Sequence, residues 1–209
     1  MILETFPVGW LQCNCTILGD EVTREAIVID PGDDAKEIMA HLHRLKLTLK
    51  EVVCTHTHID HVSAIHDLQE RVNARASIHR ADLALFEKLD LQAQWLGVPA
   101  PRRGSVDRLL EDGDAVSCQG VEIGAIHTPG HTPGSATFQL RADRDVLFTG
   151  DTLFRQSIGR TDLWGGSLPE IMRSIQGRLM PFGDDTLVIP GHGPSTTIGR
   201  ERRENPFLR

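Results

Sequence analysis

Within Thr55-His56-Thr57-His58-Ile59-Asp60-His61 the chain places three imidazoles and a carboxylate in six consecutive positions. Three more residues of the same types stand in Gly-rich turns: His131 in Thr128-Pro129-Gly130-His131-Thr132-Pro133-Gly134, Asp151 in Thr149-Gly150-Asp151, and His192 in Pro190-Gly191-His192-Gly193. Seven ligand types exceed what one tetrahedral ion takes and suit two. Imidazole and carboxylate without thiolate fit zinc, iron(II) or manganese(II) in an open, reactive site better than a structural zinc site, which usually contains Cys. The expected cofactor is therefore a pair of divalent ions, zinc first, with iron or manganese as alternatives. Packing four such polar groups together without a metal would demand a separate partner for each wherever they are buried.

The spacing also has a structural reading. Glu51–Cys54 is apolar enough to be a strand leading into the motif. If the backbone stays extended, His56, His58 and Asp60 share one side. A helix is expected over Val62–Asn73, opened by His61, with Ile65, Leu68 and Val72 inward. The change of direction after Asp60 lets the four residues divide two and two between neighbouring ions. This differs from two His four apart on one helix with Glu as base. His41, His43, His66 and His79 lack ligand-type neighbours and read as ordinary histidines. His127 ends an apolar strand before a Pro-Gly turn and reads as a supporting residue, as do Thr55 and Thr57.

Several further segments follow the same design, an apolar strand that ends in a polar turn. Ala26–Ile29 runs into Asp30, Val121–Ile126 into the His131 loop, Asp145–Phe148 into Asp151, and Thr186–Ile189 into His192. Between some of them lie helix patterns. Ala35, Ile38, Met39, Leu42 and Leu45 form one apolar face behind Asp33-Asp34, which can cap it. Ser167-Leu168-Pro169-Glu170 matches a capping box. Strands that deliver residues at their ends belong to a layered α/β scaffold. Leu91–Ser105 lacks strong periodicity and is read as a lid or a surface connection.

Composition sets outer bounds. At 209 residues and 40% hydrophobic content, one domain spanning 1–209 is expected. A net charge of −7 argues against a nucleic-acid partner. The N-terminus has no signal-peptide pattern and no apolar run reaches membrane-span length, so a cytoplasmic protein without membrane association is expected. The four cysteines read as packing residues, Cys13-Asn14-Cys15 and Cys54 included, and not as a disulfide framework. Nothing in the sequence sets the oligomeric state.

The THTHIDH segment, the GHTPG loop, the TGD strand end and the late PGHGP, in this order from Thr55 to Pro194, resemble the metallo-β-lactamase superfamily. Asp151-Thr152-Leu153-Phe154, Gly159-Arg160-Thr161-Asp162, Gly165-Gly166-Ser167 and Arg203–Leu208 bring the resemblance nearest to short bacterial proteins similar to glyoxalase II. The resemblance implies a four-layer αββα sandwich with two mixed β-sheets. It also implies that His56, His58 and His131 hold one metal, that Asp60, His61 and His192 hold the other, and that Asp151 bridges them. Asp60 and Asp151 carry the catalytic assignment among these. True lactamases of the superfamily commonly use a Cys ligand; no Cys stands at a ligand position here, which argues against lactam hydrolysis.

The implied activity is hydrolysis of small thioesters, glutathione thioesters such as S-lactoylglutathione in particular, by a hydroxide bridging the two metals. Arg155 and Arg160 are the expected partners for substrate carboxylates. Full-length glyoxalase II grips glutathione with a helical C-terminal domain and with tyrosine; this chain contains no Tyr, and Trp164 replaces an expected proline. A related family of mononuclear iron persulfide dioxygenases would use His56, His131 and Asp151 as a facial triad. A non-catalytic binding module is the third reading, and an intact set of seven ligands argues against it.

Overall fold

Alternation along the central strands sorts their side chains onto two faces, and that sorting builds the layers. In Glu25–Ile29, Ala26 and Val28 face one apolar cluster while Ile27 and Ile29 face another. In Val146–Gly150, Val146 and Phe148 face that second cluster, and Leu147 faces a third. Both strands are buried on both faces, so each lies in a sheet covered on both sides. A computed structural model describes residues 1–209 and shows the result: helix, sheet, sheet, helix.

The first sheet has six strands in chain order, β1 (Ile2–Val8), β2 (Cys13–Gly19), β3 (Glu25–Ile29), β4 (Thr48–Val53), β5 (Arg75–His79) and β6 (Arg108–Leu110). It is antiparallel from β1 to β3 and parallel from β3 to β6. The second sheet draws on β7 (Ala115–Cys118), β8 (Val121–His127), β9 (Ala136–Leu140) and β10 (Val146–Gly150). A small hairpin of β11 (Leu153–Phe154) and β12 (Ser157–Ile158) follows, and β13 (Leu187–Pro190) and β14 (Thr196–Thr197) complete the sheet in the order β14-β13-β10-β9-β8-β7. Only β10 and β13 run parallel in it.

Helices α1 (Ala35–Leu45), α2 (Ile59–Val62) and α3 (Ile65–Val72) cover the outer face of the first sheet, and α4 (Leu83–Phe86) and α5 (Leu89–Leu96) continue that layer. Helix α6 (Leu168–Ser174), continued by a π-helical turn over Ile175–Leu179, and α7 (Ile198–Glu204) cover the second sheet. Between the sheets lies the cluster of Ile27, Ile29, Val53, Ile123, Phe138 and Phe148.

Four local expectations are corrected. The helix expected over Val62–Asn73 is two helices, because the chain breaks at Ser63-Ala64, where the Ala64 amide donates to the Pro31 carbonyl at 3.0 Å. The extended run ends at His58, which caps α2, so Asp60 is already helical and the change of direction falls before Ile59. Asp34 does not cap α1 through its side chain. It sits at φ 52°, and its carboxylate accepts from the Gly9 amide at 2.8 Å instead. Of the capping box at Ser167 only the N-cap half forms: the hydroxyl accepts from the Glu170 amide at 3.4 Å, while the Ser167 amide donates to the Gly130 carbonyl at 2.8 Å instead of to the Glu170 side chain. Helix α5 replaces the first half of the suspected lid. The rest is tied down by Arg102 to Asp67 at 2.8 Å and by the Ser105 amide to Gln69 at 2.9 Å.

Candidate metal centre

The C-terminal ends of the parallel strands β3, β4, β10 and β13 meet at one edge of the sandwich, and their turns carry the polar residues. The strand-end turn after β4 delivers His56 and His58, and α2 delivers Asp60 and His61. The loop after β8 delivers His131, the end of β10 delivers Asp151, and the end of β13 delivers His192. Ligand atoms of His56, His58 and His131 gather within 4.8 Å of one another, as do those of Asp60, His61 and His192. Asp151 lies between the two groups. Its Oδ2 is 3.6 Å from His131 Nε2, while its Oδ1 is 3.6 Å from His61 Nε2 and 3.7 Å from His192 Nε2.

The orientation of each ring follows from what its other nitrogen touches. His131 Nδ1 donates to the Arg160 carbonyl at 2.8 Å, and His192 Nδ1 to the Leu11 carbonyl at 3.1 Å. His61 Nδ1 donates to Asp30 Oδ2 at 3.0 Å. His56 Nδ1 meets the Thr55 hydroxyl at 3.2 Å, and that hydroxyl itself donates to Asp30 at 2.7 Å. In its neutral form each of these four rings therefore presents an unprotonated Nε2 to the centre, the tautomer a metal ligand needs.

Those lone pairs converge closely. His131 Nε2 is 2.9 Å from His58 Nδ1, and His61 Nε2 is 3.3 Å from His192 Nε2. His56 Nε2 and Asp151 Oδ1 are buried with no hydrogen-bond partner. Facing lone pairs and orphaned acceptors are costly in a protein interior unless cations lie between them. The donor set thus fits metal ions, and its chemistry is all imidazole and carboxylate.

Charge around the centre agrees. Burial, and then the neighbouring imidazoles, lower the His56 and His58 pKa values, His58 to about 3. For His61 burial acts in the same direction, but Cys13, Asp60, Asp30 and Asp151 outweigh it and raise its pKa. For His192 the hydrogen bond it donates to Asp60 and the charge of Asp151 likewise outweigh burial. Asp60 stays ionised, its pKa lowered by His61 and His192 against burial. The second group is thus a place where positive charge is stabilised.

Supporting residues that the sequence did not reveal hold the loops in place. Asp82, fully buried in a 3₁₀ turn after β5, accepts from the Thr57 amide at 2.9 Å, the Thr132 hydroxyl at 2.8 Å and the Gly134 amide at 2.6 Å. It fastens the His56–His58 segment to the His131 loop, and nothing in Arg80-Ala81-Asp82 marks it. Asn14 Nδ2 donates to the Pro190 and Gly193 carbonyls, both at 2.9 Å, and so fixes the His192 loop. Cys13 Sγ lies 3.4 Å from His61 Nδ1, and burial pushes its thiol up to about 12. His127, which the sequence already marks as a supporting residue, donates through Nε2 to the Pro133 carbonyl at 2.9 Å and stacks on His79 at 4.0 Å. Gly191 must be glycine, since a Cβ there would stand 2.2 Å from Asp151 Oδ1.

A cleft of about 820 Å³ opens over the centre, reached by His58, Asp60, His131, Asp151 and His192. Arg160 lines it, but its guanidinium pairs with Asp162 at 2.8 and 2.7 Å, and it is the Arg160 carbonyl that orients His131. Arg155 sits exposed in the β11–β12 turn and does not line the cleft. No Ser, Thr or Cys lines it either.

Residues 8–192 match the model of the metallo-beta-lactamase superfamily. The chain belongs to the metallo-β-lactamase superfamily. Among its superfamily relatives is hydroxyacylglutathione hydrolase GloC of Haemophilus influenzae, 39% identical over 100% of this chain and 98% of that protein. The solved structure of the B3 metallo-beta-lactamase BLEG-1 superposes with a TM-score of 0.92 at 34% identity, covering 99% of both chains. That of TTHA1623 in a di-iron-bound form gives 0.85 at 36%, over 97% of this chain and 98% of that one. ETHE1 from Myxococcus xanthus gives 0.82 at 29%, over 99% of this chain and 84% of that one. Superfamily membership and the two ligand groups make this a metallo-hydrolase fold with His/Asp metal-binding clusters. No helix is long and apolar enough to cross a membrane.

Proposed function

We propose that the protein is a dinuclear metal-dependent thioester hydrolase acting on small glutathione thioesters such as S-lactoylglutathione. The observation that carries this reading is Asp151, whose two oxygens face two separate ligand groups. His56, His58 and His131 would hold one ion, Asp60, His61 and His192 the other, and Asp151 both. Such a pair, when bound, makes a nucleophile of water at neutral pH and polarises a carbonyl. The chain's own residues do the rest. Asp30, Thr55 and the carbonyls of Leu11 and Arg160 fix the rings, and Asp60 and Asp151 line the cleft, where each would take up a proton released during hydrolysis. The cleft holds no Ser, Thr or Cys, the usual carriers of an acyl-enzyme, which favours direct attack by water.

The GloC relative supports the thioester substrate, since it spans the same extent of chain. The di-iron form of TTHA1623 supports two ions and allows iron beside zinc or manganese. The protein would act in the cytoplasm as one domain, 1–209, without nucleic acid. Of the two arginines first expected to grip substrate, Arg160 is placed to do so only by releasing Asp162. A second reading, a mononuclear iron persulfide dioxygenase, is favoured by the likeness to ETHE1.

Elemental analysis combined with two assays separates the readings. About two ions per chain with thiol release from S-lactoylglutathione supports the hydrolase. One iron per chain with oxygen uptake on glutathione persulfide overturns it. Turnover of a β-lactam in place of both would favour the chemistry for which BLEG-1 is named.

A further inference from the structure

The walls of the cleft differ from its floor. Leu91 and Trp95 project into it from α5, and Trp164 stands in it from the loop between β12 and α6. Trp95 is 68% exposed and Trp164 54% exposed, although the three apolar clusters of the fold are otherwise well closed. Of ten exposed large hydrophobic residues in the chain, Leu11, Leu91, Trp95 and Trp164 share this one cleft. Scattered apolar residues on a surface mean little, but a concave group of them over a reactive centre marks a surface that a ligand covers.

Charge on the rim is sparse. Apart from the histidines of the metal centre, two basic side chains line the cleft, Lys88 and Arg160, and Arg160 is engaged by Asp162, whose carboxyl it holds down to about 2. Lys88 Nζ stands 5.2 Å over the Trp164 ring and makes no ion pair. The cleft therefore offers one free cation beside a broad apolar wall. A lactoyl group, short and hydroxylated, leaves that wall uncovered.

We propose that the cleft selects thioesters whose acyl group is large and apolar, carried on an anionic thiol. The acyl group lies against Leu91, Trp95 and Trp164, and Lys88 takes one carboxylate of the thiol half. This rests on the thioesterase reading and names its substrate class. Lys88 and Trp95 are specificity residues that belong to neither ligand group, so changing them removes no metal ligand.

The test compares S-phenylacetylglutathione with S-lactoylglutathione on the metal-loaded protein, since the two differ only in the acyl half. The aromatic thioester is expected to show a kcat/KM roughly tenfold or more higher, in line with burial of one phenyl group. Trp95→Ala should erase most of that difference, lowering the aromatic substrate's value far more than the lactoyl one's. Lys88→Ala should raise KM for both by about three- to tenfold with kcat little changed, as for loss of one partly exposed charge contact. Equal values for the two substrates, or an equal loss on both in Trp95→Ala, would overturn the proposal.

Binding gives a readout that does not depend on turnover. Titrating the metal-loaded protein with S-benzylglutathione, a thioether that cannot be hydrolysed, should give a saturable change in tryptophan fluorescence that weakens in Trp95→Ala and in Lys88→Ala. If neither thioester is cleaved but this titration behaves as expected, the hydrolase reading fails and the cleft's preference for apolar anions stands. No saturable change would overturn the preference itself.

Discussion

Asp151 and Gly191 show how little freedom the centre allows. Replacing Asp151 with Ala removes the carboxylate shared by both ligand groups and leaves two cations less compensated, so at least one ion per chain and nearly all hydrolysis should be lost; full metal content with normal turnover would contradict its assignment. Gly191→Ala sets a methyl group 2.2 Å from Asp151 Oδ1, and should lower metal content with little change in fold by circular dichroism. The rings also differ in their competition with protons. His58 falls to about 3, and His56 is lowered too, whereas His61 and His192 are raised. A raised pKa means protonation at higher pH, and a protonated Nε2 cannot hold a metal. As pH falls, protons should begin to compete above the free imidazole value of about 6.5, so metal should leave the Asp60–His61–His192 group first and the His56–His58–His131 group should retain its ion to lower pH. Elemental analysis after equilibration at stepped pH should show two steps; a single step releasing both ions would refute the ordering.

The loops that carry these residues are held by side chains far away in sequence, and here the reading from sequence reached its limit. Asp82→Ala would leave the Thr57 and Gly134 amides buried without an acceptor, and unsatisfied groups of this kind cost about 1–3 kcal/mol each. We expect stability to fall by roughly 3 kcal/mol and metal affinity by about ten- to a hundredfold, measured by urea unfolding and by competition with a chelating dye. Unaltered affinity would show that the two loops are aligned without it. The motif residues were legible because ligand types cluster at fixed short spacing, and the strands because apolar runs end in Gly-rich turns. Asp82, Asn14 and Asp30 act through pairing that only the fold creates, at separations such as 25 residues between Asp82 and Thr57. The break at Ser63-Ala64 was hidden for the same reason, since the Pro31 carbonyl that accepts from Ala64 lies on another turn. The aromatic wall is not legible in the sequence because Trp95 and Trp164 sit 69 residues apart in segments without a strong period.

The ligands are divided between the two halves of the sandwich. His56, His58, Asp60 and His61 belong to the first sheet and its helices, and His131, Asp151 and His192 to the second. Bound metal therefore ties the halves together at one edge, while the apolar cluster between the sheets ties them across their whole width. The second link owes nothing to the metal. Removing the metal should thus weaken the protein without unfolding it, unlike a small zinc domain that has no other core. Free metal about a thousandfold above its dissociation constant adds about 4 kcal/mol to the folded state. For a chain of this size that corresponds to about ten degrees in Tm. Calorimetry should show one cooperative transition in both forms, the chelated form melting about ten degrees lower and recovering when metal is returned. A chelated form with no transition would mean that the inter-sheet core cannot hold the halves alone, and an unchanged Tm would mean that the folded protein binds no metal.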